Sequence, residues 1–333
     1  MAKPTQRVIG RGERVLPGIW RLRLPLPWPG VPHCNAWAIA AGDGVVLVDT
    51  GAHEPGSIGH LERALEHVGL RVEHVRLVIC THAHADHCGE AATIAERAGC
   101  EIWMHPRSDH LFKAAEDPDT LTRRIEVARA SGVPEEPLRR WSEARAGSGP
   151  LVKFPLEVDR ALVPGVEVAT DLGSWQVIET PGHAPSHVCL HQPDRRLLLS
   201  GDHLLGRVSI YFDMGYTGDA VGEFLESLDR VDALDARLAL AGHGRPFTDV
   251  RGHVDANRTL VHERLDALTA ALADGPSTAY DLAPRIYGDA FGAATGPWLF
   301  TKVLAYLIHL EATGRATRLE PAAEGAPERW ARG

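Results

Sequence analysis

The sequence has little with which to cross-link itself. Five cysteines, Cys34, Cys80, Cys88, Cys100 and Cys189, stand at irregular spacings in 333 residues, and no two form a C-x-x-C pair. An odd count without such pairs argues against a disulfide framework and against a cysteine-rich structural zinc site. Long apolar runs are missing too. None approaches the roughly 20 residues of a membrane-spanning helix. The opening "MAKPTQRVIGRGERVLPG" has no apolar core of signal-peptide length. No membrane partner is therefore expected, and the expected location is cytoplasmic. A basic excess is also absent: 35 Lys/Arg face 44 Asp/Glu, for a net charge of −9 with neutral histidines. Long-range attraction to nucleic acid or an anionic surface is not expected. What remains, 44% hydrophobic and 24% charged residues, fits a globular chain large enough for one α/β domain with or without a small appendage.

The hydrophobic pattern predicts an α/β order. "NAWAIAAGDGVVLVDTG" (35–51) reads as two strands joined at Gly42-Asp43-Gly44. "SIGHLERALEHVGL" (57–70) reads as an amphipathic helix, with Leu61, Leu65 and Val68 on one face. "VRLVICTH" (75–82) is an apolar strand, "GEAATIAERAGC" a helix and "EIWMHP" another strand. Residues 107–150 break the rhythm with charge-rich helical stretches, and read as a lid or as a solvated excursion. Apolar strands resume at 175–183, 187–202 and 236–244, each ending in a turn. A helix over 255–273, with Val261, Leu265, Leu268 and Leu272 in step, opens a different texture. Two further helices, the second capped by Gly314, and a small strand pair around "RATRLEP" complete a winged-helix-like appendage. The expected division is 1–250 and 251–333.

Chemistry concentrates in "VICTHAHADHCGE" (78–90). His82 and His84, on a loop, can point the same way and chelate one ion through imidazole nitrogens. Asp86 and His87 can then face a second ion beside it. Burying four such polar side chains together without a metal would leave each needing its own partner. Three more candidates sit at predicted strand ends in glycine turns: His183 in "TPGH", Asp202 in "SGD" and His243 in "GHG".

The ordered set T-H-A-H-A-D-H, T-P-G-H, S-G-D and G-H-G, preceded by "VDTG" at 48–51, resembles the metallo-β-lactamase fold superfamily over roughly residues 15–250. The resemblance implies an αββα sandwich with a metal site at one edge. It assigns His82, His84 and His183 to a first metal and Asp86, His87 and His243 to a second, with Asp202 bridging. Asp49 matches the family's early aspartate, which supports the ligand loops. Two divalent ions are implied, zinc foremost, with iron or manganese as alternatives. Cys88 receives no coordination. Having both Asp86 and Asp202 is the pattern of glyoxalase II-like thioesterases, lactonases and the nuclease branch, rather than of true β-lactamases.

Such a site implies a bridging hydroxide that attacks the carbonyl of a small-molecule thioester, ester or lactone, with Asp86 and Asp202 as the catalytic carboxylates. An endoribonuclease and a β-lactamase-like amide hydrolase are the alternatives within the fold, and a non-catalytic metal binder is the alternative outside catalysis. Residues 251–333 carry nine Lys/Arg against ten Asp/Glu, a net of −1. That is not the basic face of a nucleic-acid reader, so the tail is expected to pack, to dimerise or to wall the site. Tyr211 and Tyr216 follow Asp202 and are open between a place by the oxyanion, as in some lactonase-like relatives, and plain packing. His187 and His203 are expected to support ligands, and His105 and His110 to be structural or rim residues.

Cys88→Ser should keep its bound metal and most of its activity, whereas Asp86→Ala should lose occupancy of the second ion. Metal quantification on the purified variants checks both. An emptied site in Cys88→Ser would overturn the ligand assignment.

Overall fold

Val45 and Leu47 face one way along their strand and Val46 and Val48 the other, and all four are buried. A strand apolar on both faces has to be covered on both, and the computed structural model shows how. It describes residues 9–333 apart from 29, 118, 147, 148, 150, 208, 214, 293 and 294. The first sheet runs in sequence order: β1 (Arg11–Leu16), β2 (Ile19–Trp28), β3 (Val31–Ala41), β4 (Gly44–Val48), β5 (Val75–Ile79), β6 (Glu101–Met104) and β7 (Arg160–Ala161). It is antiparallel up to β4 and parallel from β4 onward. The second sheet comprises β8 (Glu167–Thr170), β9 (Gly173–Glu179), β10 (Val188–Gln192), β11 (Leu197–Gly201) and β12 (Leu238–Ala241), in the order β12-β11-β10-β9-β8.

Between the sheets lie Trp37, Ile39, Val46, Val48 and Ile79 from one side and Trp175, Val177, Leu190, Leu199 and Leu240 from the other. The outer face of the first sheet is closed by α1 (Ser57–Glu66) and α3 (Ala91–Ala98), through Leu61, Leu65 and Ile94. A single turn, α2 (Ala85–Cys88), precedes α3. The outer face of the second sheet, with Cys189, Leu198 and Ala239, is closed by α7 (Ala220–Asp232) through Val221, Phe224 and Leu228. The result is the expected αββα sandwich.

Residues 107–150 form the helices α4 (Asp109–Glu116), α5 (Thr120–Ala130) and α6 (Glu135–Ala146). The tail contains α8 (Val250–Ala271), α9 (Ala279–Tyr287), α10 (Gly296–Ala312) and an antiparallel hairpin of β13 (Ala316–Leu319) and β14 (Arg329–Arg332). Three helices and a two-stranded wing match the winged-helix-like expectation. Asp249 caps α8 by accepting from the Gly252 N–H, which starts that helix five residues before the periodicity alone suggests.

The tail is not a separate body. Val254, Val261, Leu265, Leu307 and Trp330 share one core with α7 and the second sheet. The helical insertion joins it: Ala128, Val133 and Leu138 pack on Phe300. Backbone bonds from Tyr280 N to Ser131 O (3.0 Å) and from Glu328 N to Ala130 O (2.7 Å) tie the two segments.

Two expectations change in detail. The 187–202 segment is two strands, not one, because Pro193-Asp194-Arg195-Arg196 turns the chain and Arg196 takes φ +58°. The β1–β2 hairpin lies outside the expected strands, its pattern obscured by alternating arginines and prolines. Among the described residues no helix is long and apolar enough to cross a membrane.

Leu307 is fully buried in the shared core. Leu307→Ala should cost about 2–5 kcal/mol and lower a single cooperative thermal transition, followed by circular dichroism. Two separate transitions would mean that the tail folds on its own.

Candidate metal centre

Strands β9, β11 and β12 all run in the same direction, so their C-terminal ends gather at one edge of the second sheet. His183 follows β9, Asp202 follows β11 and His243 follows β12. Across the seam, β5 delivers Thr81, His82 and His84, and α2 presents Asp86 and His87. The two sheets are clasped there by Asn35 N to Gly242 O (2.7 Å) and Val188 N to Thr81 O (2.9 Å). The structure thus brings together all seven candidate ligands, which the sequence spreads over more than 160 positions.

The donor atoms form three overlapping groups: His82, His84 and His183; His82, His87 and Asp202; Asp86, His87 and His243. Hydrogen bonds around the first group fix where the ring protons sit. Thr81 Oγ1 donates to Asp49 (3.0 Å) and so accepts from His82 Nδ1 (2.9 Å). His183 Nδ1 donates to the Tyr211 carbonyl (3.2 Å). His84 Nε2 faces Asp213 Oδ2 at 3.3 Å. Each neutral ring therefore turns a lone pair inward. His82 Nε2, His84 Nδ1 and His183 Nε2 meet at 3.0, 3.0 and 3.3 Å. Three acceptors at that range repel unless a cation, a proton or a metal ion, lies among them.

The second group has the same logic. His87 Nδ1 donates to Asp49 Oδ2 (2.8 Å) and His243 Nδ1 to the His33 carbonyl (2.9 Å). Their Nε2 atoms point at carboxylates: His87 lies 3.5 Å from both Asp86 and Asp202, and His243 lies 3.3 and 3.1 Å from them. His87 Nε2 and Asp202 Oδ1 are buried with no hydrogen-bond partner among the described residues. Imidazole and carboxylate atoms converging in this way are the donor set of zinc-like ions.

Electrostatics divide the site in two. Burial, with the neighbouring imidazoles, pushes His183 down to about 3 and His82 well below the usual histidine range. Burial also opposes charge on His243, yet Asp202 and Asp86 outweigh it and push that imidazole up to about 10. His87 is raised likewise against its burial, by Asp86, Asp202 and Asp49. His84 differs from His82 and His183: Asp213 raises it against its burial, so the first group joins two neutral imidazoles to one that favours a proton, while the second group gathers the carboxylates. In the absence of a metal the second holds protons that metal uptake must displace.

Glycine makes room for this crowding. A Cβ on Gly242 would lie 2.2 Å from Asp202 Oδ1, and one on Gly182 (φ +116°) 2.6 Å from the Phe224 backbone. Asp49 itself sits at φ +64°, an uncommon conformation that aspartate tolerates better than most. From there it also accepts from the Thr81 N–H (2.8 Å). It has the supporting role expected of it.

The other histidines, the two tyrosines and the cysteine singled out in the sequence have other partners. His187 accepts the Asp202 backbone N–H at Nε2 (3.0 Å) and donates its Nδ1 proton to Thr180 Oγ1 (2.8 Å), so it holds Asp202 through the main chain. His203 packs on Phe224 (4.9 Å). His105 pairs with Glu179 (3.0 Å) and His110 packs at a tilt against Tyr216 (4.4 Å). Tyr211 packs edge-on against His84 and His183. Cys88 is buried, donates to the His84 carbonyl (3.3 Å) and belongs to none of the three groups; burial pushes its thiol up to about 12.

Three residues escape the sequence reading. Asp213 orients His84, and its own N–H bonds the His183 carbonyl (2.9 Å). The available signal was one acid inside the otherwise uncharged "IYFDMGY". Asn35 donates to the carbonyls of Ala241 (2.8 Å) and Gly244 (3.0 Å), and Arg21 adds a bond to Gly244 (2.7 Å), so the His243 loop is held from the first sheet.

An αββα sandwich with clustered histidines and aspartates where strand ends meet defines a metal-binding hydrolase class. The profile of the metallo-beta-lactamase superfamily matches residues 29–243, and the chain belongs to that superfamily. Divalent metal binding follows from that membership and the cluster. The chain is 24% identical over 257 residues to a probable metallo-hydrolase, YqjP, of Bacillus subtilis, covering 75% of this chain and 79% of that one. It is 25% identical to an atrochrysone carboxyl ACP thioesterase of Aspergillus fumigatus, covering 60% of this chain and 59% of the other. A metallo-beta-lactamase family protein of Thermus thermophilus superposes with TM-score 0.80 at 29% identity, covering 96% of this chain and 100% of that one. A beta-lactamase domain protein from Burkholderia ambifaria gives 0.83 at 27%, covering 97% and 94%.

Because Asp213 faces the ring nitrogen of His84 opposite the donor, Asp213→Ala should weaken metal affinity about 10–100-fold while leaving the fold intact. Competition with a chromophoric chelator measures this, and unchanged affinity would remove Asp213 from the metal centre.

Proposed function

We propose that the protein is a hydrolase that uses two divalent ions, zinc foremost and iron or manganese on the same donors, to cleave an acyl bond of a small molecule. A thioester is the leading substrate class, with esters and lactones behind it. One observation carries the reading: the donors form a nitrogen pocket and a carboxylate pocket side by side, with Asp202 between them. Its oxygens lie 3.7 Å from His183, 3.5 Å from His87 and 3.1 Å from His243. His82, His84 and His183 would hold one ion, Asp86, His87 and His243 the other, and Asp202 both. Thioesterase names among the relatives support the choice of acyl bond.

Ions in such a site supply Lewis acidity and a lowered water pKa. The protein's own groups do the rest. Asp86 turns Oδ2 toward His87 and His243, which leaves Oδ1 to accept a hydrogen bond from the attacking water and fix its approach. Asp49 and Asp213 hold His87 and His84 with their donor nitrogens inward, so no ring has to turn during turnover. Water adds to the carbonyl carbon and the C–S bond breaks; one of the water's protons leaves on the thiol, and the other passes to solvent as the acyl group departs as a carboxylate. No serine or cysteine nucleophile is required, and Cys88, buried and held as a thiol, is unsuited to be one.

A panel on metal-quantified protein tests the reading: a thioester, a lactone, a cephalosporin and single-stranded RNA. Thioester turnover should exceed the rest and fall by about 100-fold or more on chelation, the scale of losing an oxyanion-stabilising group, and return with zinc. RNA cleavage without ester or thioester cleavage would overturn it.

A further inference from the structure

Four large hydrophobic side chains stand exposed among the described residues: Ile9, Val127, Val158 and Tyr216. Two of them, Val127 and Tyr216, line one cavity of about 660 Å³. That volume lies inside the ~300–1,000 Å³ range of small-molecule sites. Its walls come from α4, α5 and α6, from the 211–216 segment and from α10, with Ala128, Trp141 and Phe300 adding apolar surface. One end adjoins the metal centre, because Tyr211 and Asp213 belong to both the cavity lining and the surroundings of His84 and His183. A second cavity of about 210 Å³ shares Val127 and Gly215 and continues along Leu304, Ala305 and Ile308.

Most of the charge on this lining is already satisfied. Arg107, Lys113 and Arg123 each hold a carboxylate, of Glu223, Asp109 and Asp117 respectively. Asp213 is engaged with His84 and His110. The lining sets these charges and Arg124 beside the apolar surfaces of Val127, Trp141, Tyr216 and Phe300, and exposed valine and tyrosine next to the metal centre suit an apolar group carried beside the scissile bond.

We propose that this cavity takes the acyl group of the substrate, and that the acyl group is bulky and apolar, a medium-length alkyl or aryl chain rather than acetyl. The inference rests on the acyl-hydrolase reading above. Val127 is then a specificity-determining residue, standing where the two cavities meet.

Acetyl and octanoyl thioesters of N-acetylcysteamine, with acetate and octanoate as non-reacting binding probes, test this on the metal-loaded protein. The octanoyl thioester should exceed the acetyl one in kcat/KM by at least about tenfold, the effect of burying some two methylenes, and octanoate should bind tighter than acetate by a similar factor in calorimetry. Val127→Asp, at an exposed position that the fold does not need apolar, should cut both ratios about tenfold. Ratios near one in the wild type, or ratios that Val127→Asp leaves unchanged, overturn the cavity assignment. If neither thioester nor the lactone of the panel above is hydrolysed, the acyl-hydrolase reading is overturned instead, and the octanoate titration then decides the cavity by itself.

Discussion

Lone pairs that face one another across 3 Å are the constraint on which this molecule is built. Five imidazoles and two carboxylates converge with their acceptor atoms turned inward, four of the seven residues buried and His84, Asp202 and His243 partly so. Such an arrangement is unfavourable until a cation enters, and it survives folding only if each ring is prevented from rotating away. The restraints are distributed. Thr81 and Asp49 hold His82 and His87, Asp213 holds His84, and main-chain carbonyls hold His183 and His243. The sandwich supplies the rigidity: β5 and the parallel set β9, β11 and β12 end at one seam, and bonds between the sheets close it.

Much of this was legible in the chain. "THAHADH" carries four candidate donors in six positions, and the three distant candidates are marked by glycine turns after apolar strands. The αββα layering is written in strands such as Val45–Val48, apolar on both faces. Other features were not legible, for physical reasons. Strand β2 alternates arginine and proline with its apolar residues, so its pattern does not stand out. Asp213 belongs to no periodic element, and its meaning depends on a histidine 129 positions away in sequence. The cavity is assembled from three segments that no local pattern connects.

The insertion and the tail are better understood together than apart. Read from sequence, residues 107–150 were open between a lid and a solvated excursion, and residues 251–333 looked like an appendage. In the fold, α5 and α6 rest on α10, and the tail fills the same core as α7. Chemistry therefore stays with the sandwich, while the shape of the adjoining space is set by segments whose sequences can vary without touching a metal ligand.

That joint packing also bears on motion. The cavity wall at Ala128 and Phe300 is held by a small core, and by the main-chain bonds that pass from residues 130 and 131 to the C-terminal elements. The free energy of loosening that small unit sets how often the wall opens, independently of the far larger free energy that keeps the sheets closed. Breathing of the chamber and integrity of the metal centre are thus separate properties, and backbone amide exchange would resolve them as two populations within one molecule.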